Sequence, residues 1–251
     1  MAQLIILGSG HAVPDLDHEN THLLLLLEGQ GILIDCASNP ILQLSRAGVE
    51  LDRVTDLILT HFHPDHVSGV PLLFMSMWLL GRKEPLDVYG LKYTIDRVEA
   101  MMDLYEWQNW PDFFPVVFHR VADLELSLVL SNENIRMLSS PVCHLIPTIG
   151  LRMEFPAKGK VVAYSCDTEP CQPVVRLAKD ADILFHEATA ASKGHSSVLQ
   201  AVDIARQANA GILYLIHYSA RGRDLTELLL RAQQHFSGPV HLAQDYLSIE
   251  I

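Results

Sequence analysis

The stretch "HFHPDH", residues 61–66, places three imidazoles and a carboxylate within six positions, directly after the mostly apolar run 56–60. On an extended segment, residues two apart point to the same side, so His61 and His63 face one way. Asp65 and His66 follow where the chain turns into a helix and can face a second direction. One short segment can thus serve two neighbouring cations, with His61 and His63 on one, and Asp65 and His66 on the other. Imidazole with carboxylate suits zinc, with manganese or iron also possible. Four ligands do not complete two sites. The remainder has to come from polar residues at or just beyond the ends of apolar strands, and His144 in "PVCHLIP", Asp167 in "VVAYSCDTEP" and His217 in "ILYLIHYSAR" fit that description.

The elements that must position these residues are legible from periodicity. "QLIIL", "THLLLLLEG" and "GILIDC" are strands, the last two joined as a hairpin through the turn at 29–31. "NPILQLSRAG" carries apolar residues at helical spacing and stops at Gly48. "DLILT" is a short buried strand, and 67–80 is a helix apolar on most of its faces. "LDVYG" predicts a strand and "LKYTIDRVEAMMDLY" a helix, while 116–155 reads as a run of short strands. Then come helix 172–179, strand "DILFH", helix 197–209, strand "GILYLIHY", helix 224–236 and the strands "VHLA" and "YLSIEI". Two mixed sheets packed face to face with helices outside bury all these apolar strands, an αββα sandwich of class α/β. Loops from one edge of both sheets meet there, so the site belongs at that edge. The chain reads as one domain over 1–251.

Composition narrows the function classes. The net charge is −12, which argues against a broad nucleic-acid-coating surface, because backbone binding depends on clustered Lys and Arg. The longest apolar runs fall well short of the roughly 20 residues of a membrane span. The start lacks a basic n-region and a long apolar core, so a cytoplasmic protein is expected. The four cysteines, Cys36, Cys143, Cys166 and Cys171, form no CxxC pair and no disulfide framework, in keeping with a reducing compartment.

The combination of "HFHPDH" with the later His144, Asp167 and His217, in that order, resembles the metallo-β-lactamase superfamily of binuclear metal hydrolases, over nearly the whole chain. "LIDC" resembles its early aspartate motif, which implies that Asp35 supports the site by hydrogen bonds. The resemblance implies His61, His63 and His144 around one zinc, Asp65, His66 and His217 around a second, and Asp167 bridging both. "HEAT" at 186–189 and "HSS" at 195–197 resemble the HEAT and HST motifs of the ribonuclease Z group, the tRNA 3′-end endonucleases and related zinc phosphodiesterases. "HYSAR" is similar to that group's HFSxR, with weaker matches at "LGSGHAVP", "GVPLL" and "GRKEPLDVYG". A phosphodiester whose leaving alkoxide is unprotonated departs slowly, so the chemistry calls for a general acid. By resemblance that acid is His195, with Glu187 as its support and Asp65 orienting a hydroxide held between the metals. His186 has weaker support from the resemblance and reads as structural.

The group implies a phosphodiester substrate, either a small molecule or an RNA 3′ end. Arylsulfatase or lactonase activity is the enzymatic alternative, and a non-catalytic metal-binding scaffold the alternative from another class. The chain departs from the tRNA enzymes in one large respect: their long Gly- and Pro-rich arm lies between the motifs of His144 and Asp167. Here that interval holds only enough residues for two strands and a turn, with Arg152, Lys158 and Lys160 as its basic residues. Cys166 stands where the group usually has glycine, and "DCASN" departs from "DCGEGT". The scattered cysteines do not match the additional Cys-rich zinc site of the phosphonate-pathway relatives. "YEWQNWPDFFPVVF", 105–118, is an aromatic run that serves either as a lid stacking on a base or as a loop packed on the core or a second subunit. The apolar helix 67–80 favours a homodimer.

Overall fold

The structure is a computed structural model describing residues 2–222 and 224–251. Its fourteen strands form two seven-stranded sheets. The first contains β1 (Gln3–Gly8), β2 (His22–Leu27), β3 (Gln30–Ile34), β4 (Asp56–Leu59), β5 (Leu86–Leu91) and β6 (Val116–Val121), with the last strand, β14 (Ser248–Glu250), on the far side of β1. The second contains β7 (Ser127–Ser131), β8 (Arg136–Pro141), β9 (Ile149–Phe155), β10 (Lys160–Tyr164), β11 (Ile183–Glu187), β12 (Ile212–Ile216) and β13 (Val240–Leu242), in that spatial order. Each sheet is antiparallel in one half and parallel in the other. β14 through β3 pair antiparallel and β3 through β6 parallel; β7 through β10 pair antiparallel and β10 through β13 parallel.

The burial of the strands explains why their sequences are apolar throughout rather than alternating. Leu23, Leu25, Ile32, Ile34 and Ile58 face the second sheet, where they meet Ile149, Leu151, Met153, Tyr164 and Phe185. Leu24, Leu33, Leu57 and Leu59 point the other way, onto Leu44, Leu73, Phe74, Met77, Ile95 and Val98 of the helices α1 (Pro40–Arg46), α3 (Val70–Leu79) and α4 (Lys92–Asp103). On the outer face of the second sheet, Leu184, Leu213 and Leu215 pack against α5 (Gln172–Leu177), α6 (Val198–Gln207) and α7 (Leu225–His235) through Val174, Ala201, Val202, Ala205 and Leu228. A strand buried on both faces has no polar face to show, and runs such as "HLLLLL" follow. The layers are therefore helix, sheet, sheet, helix.

Local chemistry sets the element ends. The Asn39 side chain accepts from Leu42 N at the start of α1, Pro40 occupies its first turn, and Gly48 (φ +70°) follows its end. Ser197 and Gln200 form a reciprocal capping box on α6. Between α2 (Pro64–Val67) and α3, Gly69 passes so close to the main chain of 36 and 37 that a Cβ there would lie 2.8 Å from the Ala37 carbonyl oxygen. That approach docks the start of α3 against the Asp35 loop, and only glycine permits it. The interval after His144 forms β9, a short turn and β10, so no arm projects from it.

The aromatic segment 105–118 packs on the core. Trp110 stacks on Trp78 with ring centroids 5.0 Å apart, Trp107, Phe113 and Phe114 surround Phe74, and Trp78 Nε1 donates to the Pro111 carbonyl at 2.7 Å. The segment leads into the start of β6, whereas the candidate ligands follow the ends of strands parallel to it. It lies at the opposite edge of the sheet and does not cover the site in the same chain.

Candidate metal centre

Seven side chains that the sequence singles out converge at one edge of the sandwich, beyond the C-terminal ends of β4, β8, β10 and β12. β4 runs straight into Thr60 and His61. β10 ends just before Asp167, and β12 just before His217. Three of the residues that turn the chain out of β3, β10 and β12, namely Asp35, Cys166 and His217, hold positive φ of 61°, 53° and 52°. Non-glycine residues rarely adopt this left-handed conformation, and such strain of roughly 1–3 kcal/mol each persists where surrounding bonds over-determine it. Asp35 N is held by Ile58 O at 2.8 Å and His217 N by Ser9 O at 2.8 Å. The φ of Cys166 also explains why glycine is the unstrained choice at that position.

The imidazoles are aimed by what their second nitrogens do. Thr60 Oγ1 lies 2.9 and 2.8 Å from the two Asp35 oxygens, to which it gives its only proton, so at 3.1 Å it accepts from His61 Nδ1. His66 Nδ1 donates to Asp35 Oδ2 at 2.8 Å, and His144 Nδ1 to the Gly194 carbonyl at 2.6 Å. Thr189 Oγ1 donates to the His217 carbonyl at 2.7 Å and accepts from His217 Nδ1 at 2.9 Å. In all four rings Nδ1 therefore carries a proton, and Nε2 is the atom turned to the centre, where its lone pair would serve a cation. His63 is the exception: its Nδ1 lies 3.0 Å from His61 Nε2 and 3.1 Å from His144 Nε2. Those three nitrogens form one cluster.

The second cluster joins His66 Nε2, His217 Nε2, Asp65 Oδ2 and Asp167 Oδ2. The imidazole nitrogens stand 3.5 and 3.6 Å from Asp65 Oδ2, and 3.7 and 3.4 Å from Asp167 Oδ2. Asp167 Oδ2 is also 3.9 Å from His144 Nε2, which puts this carboxylate between the two clusters. A tetrahedral zinc with bonds of 2.0–2.2 Å separates its ligand atoms by about 3.3–3.6 Å. Three of the four separations in the second set fall in that range and the fourth, at 3.7 Å, lies just beyond it, while the first set is slightly contracted. His66 Nε2, His217 Nε2 and Asp167 Oδ1 are buried with no hydrogen-bond partner. Orphaned buried polar atoms are costly, and a divalent cation is the partner whose chemistry matches this donor set.

The charges are strongly coupled. For Asp167, burial works against ionisation, but His217 and His66 hold the carboxyl well below its ordinary value. Burial also opposes protonation of His66, yet Asp35 and Asp167 raise it well above the ordinary histidine value. His61 is pushed well down by burial and by His66. His63 and His144 are likewise lowered, chiefly by burial. The first cluster therefore presents neutral imidazoles, and the second concentrates the carboxylates.

Beside the two clusters stands a pair of different character. His195 Nδ1 donates to Glu187 Oε1 at 2.9 Å, leaving Nε2 as the nitrogen free to exchange a proton. Glu187 is fully buried and accepts three further bonds, from the amides of Thr168, Ser196 and Thr189 at 3.1, 3.1 and 3.0 Å. The hydrogen bond to Glu187 raises the His195 pKa despite burial. The ring lies 10° from parallel with His217, centroids 5.8 Å apart, and is one-fifth exposed. His186 is fully buried, with Nδ1 on the Glu187 carbonyl at 2.8 Å.

Several supporting residues escaped the sequence reading: Thr60, Thr189 and the Gly194 carbonyl. Two had a signal, since Thr60 immediately precedes the histidine cluster and Thr189 is the last letter of "HEAT". The cysteines form no site of their own among the described residues. Only Cys166 joins a group of metal-type residues, with His61 and His66.

Residues 2–237 match the family model described as Anti-Pycsar protein Apyc1. A ribonuclease Z from Azobacteroides pseudotrichonymphae is 30% identical, with 98% of this chain and 97% of the relative covered. That alignment runs over 285 positions, more than this chain's 251 residues, so the relative carries insertions that this chain lacks. The short form of human tRNase Z (ELAC1) superposes with a TM-score of 0.82 at 25% identity, covering 99% of both chains. A diphosphatase from the PhnP family superposes at 0.78 with 21% identity, covering 100% of this chain and 98% of the other, and shares the fold. The chain belongs to the ribonuclease Z-like group of metallo-β-lactamase-fold, metal-dependent hydrolases, and over residues 2–237 to the family described as Anti-Pycsar protein Apyc1.

Proposed function

We propose that the protein is a binuclear zinc phosphodiesterase acting on a small phosphodiester rather than on 3′-extended tRNA. The observation that supports this reading is the presence, beside two adjoining ligand clusters, of His195 with its Nδ1 on the buried Glu187 carboxylate. His61, His63 and His144 would hold one cation, Asp65, His66 and His217 a second, and Asp167 would touch both. Zinc bound there supplies positive charge against the phosphoryl oxygens and an acidified water, and manganese or iron would act similarly.

The chain's own residues do the rest. Asp65, 14% exposed beside the buried His66, His217 and Asp167, is the carboxylate that would accept a hydrogen bond from the attacking water and orient it. Glu187, fixed by three amides, keeps the His195 proton on Nδ1 in the resting tautomer. It also stabilises the doubly protonated ring that gives up its Nε2 proton to the departing oxygen. The carboxylate does not itself move a proton.

The preference for a small substrate rests on the short connection between β9 and β10 and on the net charge of −12. A long RNA held without an arm needs an extended basic surface. Turnover of bis-p-nitrophenyl phosphate beside a 3′-extended precursor tRNA, an aryl sulfate and a lactone tests the reading. Phosphodiester hydrolysis with no tRNA cleavage is expected. Efficient trimming of the tRNA overturns the small-substrate part, and preference for the sulfate or lactone overturns the reaction class. A protein that binds zinc but hydrolyses none of them is the scaffold alternative.

The homodimer reading has its support on α3, where Leu72, Met75, Leu79 and the following Leu80 expose apolar side chains along one stripe. Light scattering after size exclusion should give twice the chain mass. Leu79→Glu should return the monomer. No described helix is long and apolar enough to cross a membrane. The four free cysteines fit a cytoplasmic location.

A further inference from the structure

Two thiols sit beside the site and take no part in the chemistry above. Cys143 immediately precedes His144, and Cys171 lies four residues after Asp167. The two segments meet in an isolated antiparallel bridge between Cys143 and Glu169, in which Glu169 N donates to the Cys143 carbonyl at 2.7 Å. Cys171 lies two residues beyond the bridge, the spacing of a diagonal cross-strand neighbour of Cys143. Both converge on one hydroxyl: Thr168 Oγ1 lies 3.1 Å from Cys143 N and 3.7 Å from Cys171 Sγ. Burial, with the neighbouring Cys171 thiol as the next cause, pushes the Cys143 thiol up to about 11. Cys143 is exposed and Cys171 half-buried, whereas Cys36 and Cys166 are fully enclosed in the core. An oxidant in solution reaches the first pair and not the second.

We propose that Cys143 and Cys171 are a reversible dithiol–disulfide pair whose oxidation ties the His144 loop to the Asp167 loop. The oxidant is a low-molecular-weight disulfide such as oxidised glutathione. One protein thiol attacks it and releases one molecule of reduced glutathione. The second protein thiol then attacks the protein-bound sulfur of the mixed disulfide and releases another. The chain loses two hydrogens and gains one S–S bond; both electrons and both protons leave on the two thiols released. The bond joins segments that each carry a candidate ligand for the centre, so it restrains their separation. Loss of the bound metals requires the ligand loops to open. The disulfide therefore slows metal release, and reduction restores it.

The cross-link itself does not depend on the metal reading, and the two are tested separately. The full-length zinc-loaded protein is incubated with oxidised glutathione, its remaining thiols are alkylated, and its peptides are mapped without reduction. The expected product is the intact chain lighter by two hydrogens, with 143 and 171 in one linked peptide that dithiothreitol separates. Cys143→Ser and Cys171→Ser should each stop at a glutathione adduct. A stable adduct on wild-type protein without the linked peptide overturns the proposal, as does a link involving Cys36 or Cys166. Zinc transfer to a chromogenic chelator should be several-fold slower from oxidised than from reduced wild type, with no such difference in Cys143→Ser. Equal rates from the cross-linked and reduced wild type overturn the restraint on the two loops.

Discussion

Asp35→Asn isolates the part of the design that aims the second ligand cluster. Asp35 is fully buried, its Oδ1 accepts from Thr60 N at 2.8 Å, and its Oδ2 accepts from His66 Nδ1 at 2.8 Å. Asparagine has nearly the same shape and tolerates the positive φ of 61° found here, so the backbone has no reason to move. What changes is the hydrogen-bond sense. With the amide oxygen kept toward Thr60 N, the amide NH2 faces His66 Nδ1–H, two donors in contact. Either the bond is lost, or His66 shifts its proton to Nε2 and surrenders the lone pair that points into the cluster. Loss of such a supporting partner typically weakens metal affinity about 10–100-fold, or roughly 1.4–2.7 kcal/mol. Competition titrations against a chelator should therefore show one zinc of two bound 10–100-fold more weakly, with the His61–His63–His144 zinc changed far less. The metal-free protein should also lose about 1–3 kcal/mol in urea denaturation, from donors left unpaired in the core. Two unweakened zincs in the variant would refute the claim that Asp35 fixes the His66 tautomer.

Other expectations follow from the same geometry. His195→Ala should lower turnover of phosphodiesters with alkoxide leaving groups by about 10²–10⁴, and that of p-nitrophenyl esters much less; equal losses would remove its role as general acid. Glu187→Gln should move the alkaline limb of the kcat profile downward, because the Glu187 hydrogen bond is what raises His195, and an unmoved limb would contradict this. Tyr218, buried with its hydroxyl on the Ala243 carbonyl at 2.6 Å, is pushed up to about 12 by burial. A raised folded value means its contribution is complete below pH 10 and is lost as the pH rises from 10 toward 12, at most about 1.4 kcal/mol per unit. Tyr218→Phe should flatten that part of the stability profile by chemical denaturation, and an unchanged slope would rule the residue out. Phe74→Ala should cost about 3–5 kcal/mol, since the ring is fully buried amid Trp107, Phe113 and Phe114; a loss under 1 kcal/mol would show the aromatic segment to be loosely docked.

The sequence carries the centre more fully than it carries its supports. His61, His63, Asp65 and His66 are neighbours in the chain, so their geometry follows from strand and helix periods alone. His144, Asp167 and His217 are legible because each sits where an apolar strand stops, and parallel strands stop at one edge. Thr189 and the Gly194 carbonyl are different, because a hydroxyl or a main-chain oxygen that bonds across 28 or 50 positions leaves no periodic trace. The choice of Nδ1 in His63, against Nε2 in the other rings, is likewise a matter of which neighbours claim the second nitrogen. The aromatic run 105–118 reads equally as a lid or as packing from composition; only the direction of β6 places it at the edge away from the ligands. Cys166 shows the reverse, since its departure from glycine is plain in the sequence while the strain of φ 53° is visible only in the fold.

Stepwise zinc restoration tests the central claim most directly. The protein is stripped with a chelator, returned to zinc-free buffer, and assayed on bis-p-nitrophenyl phosphate as zinc is added in measured equivalents. Two adjoining clusters sharing Asp167 predict that turnover is absent at the start and reaches its plateau at two equivalents per chain. Full activity at one equivalent, or activity that survives complete removal of metal, would contradict a binuclear phosphodiesterase.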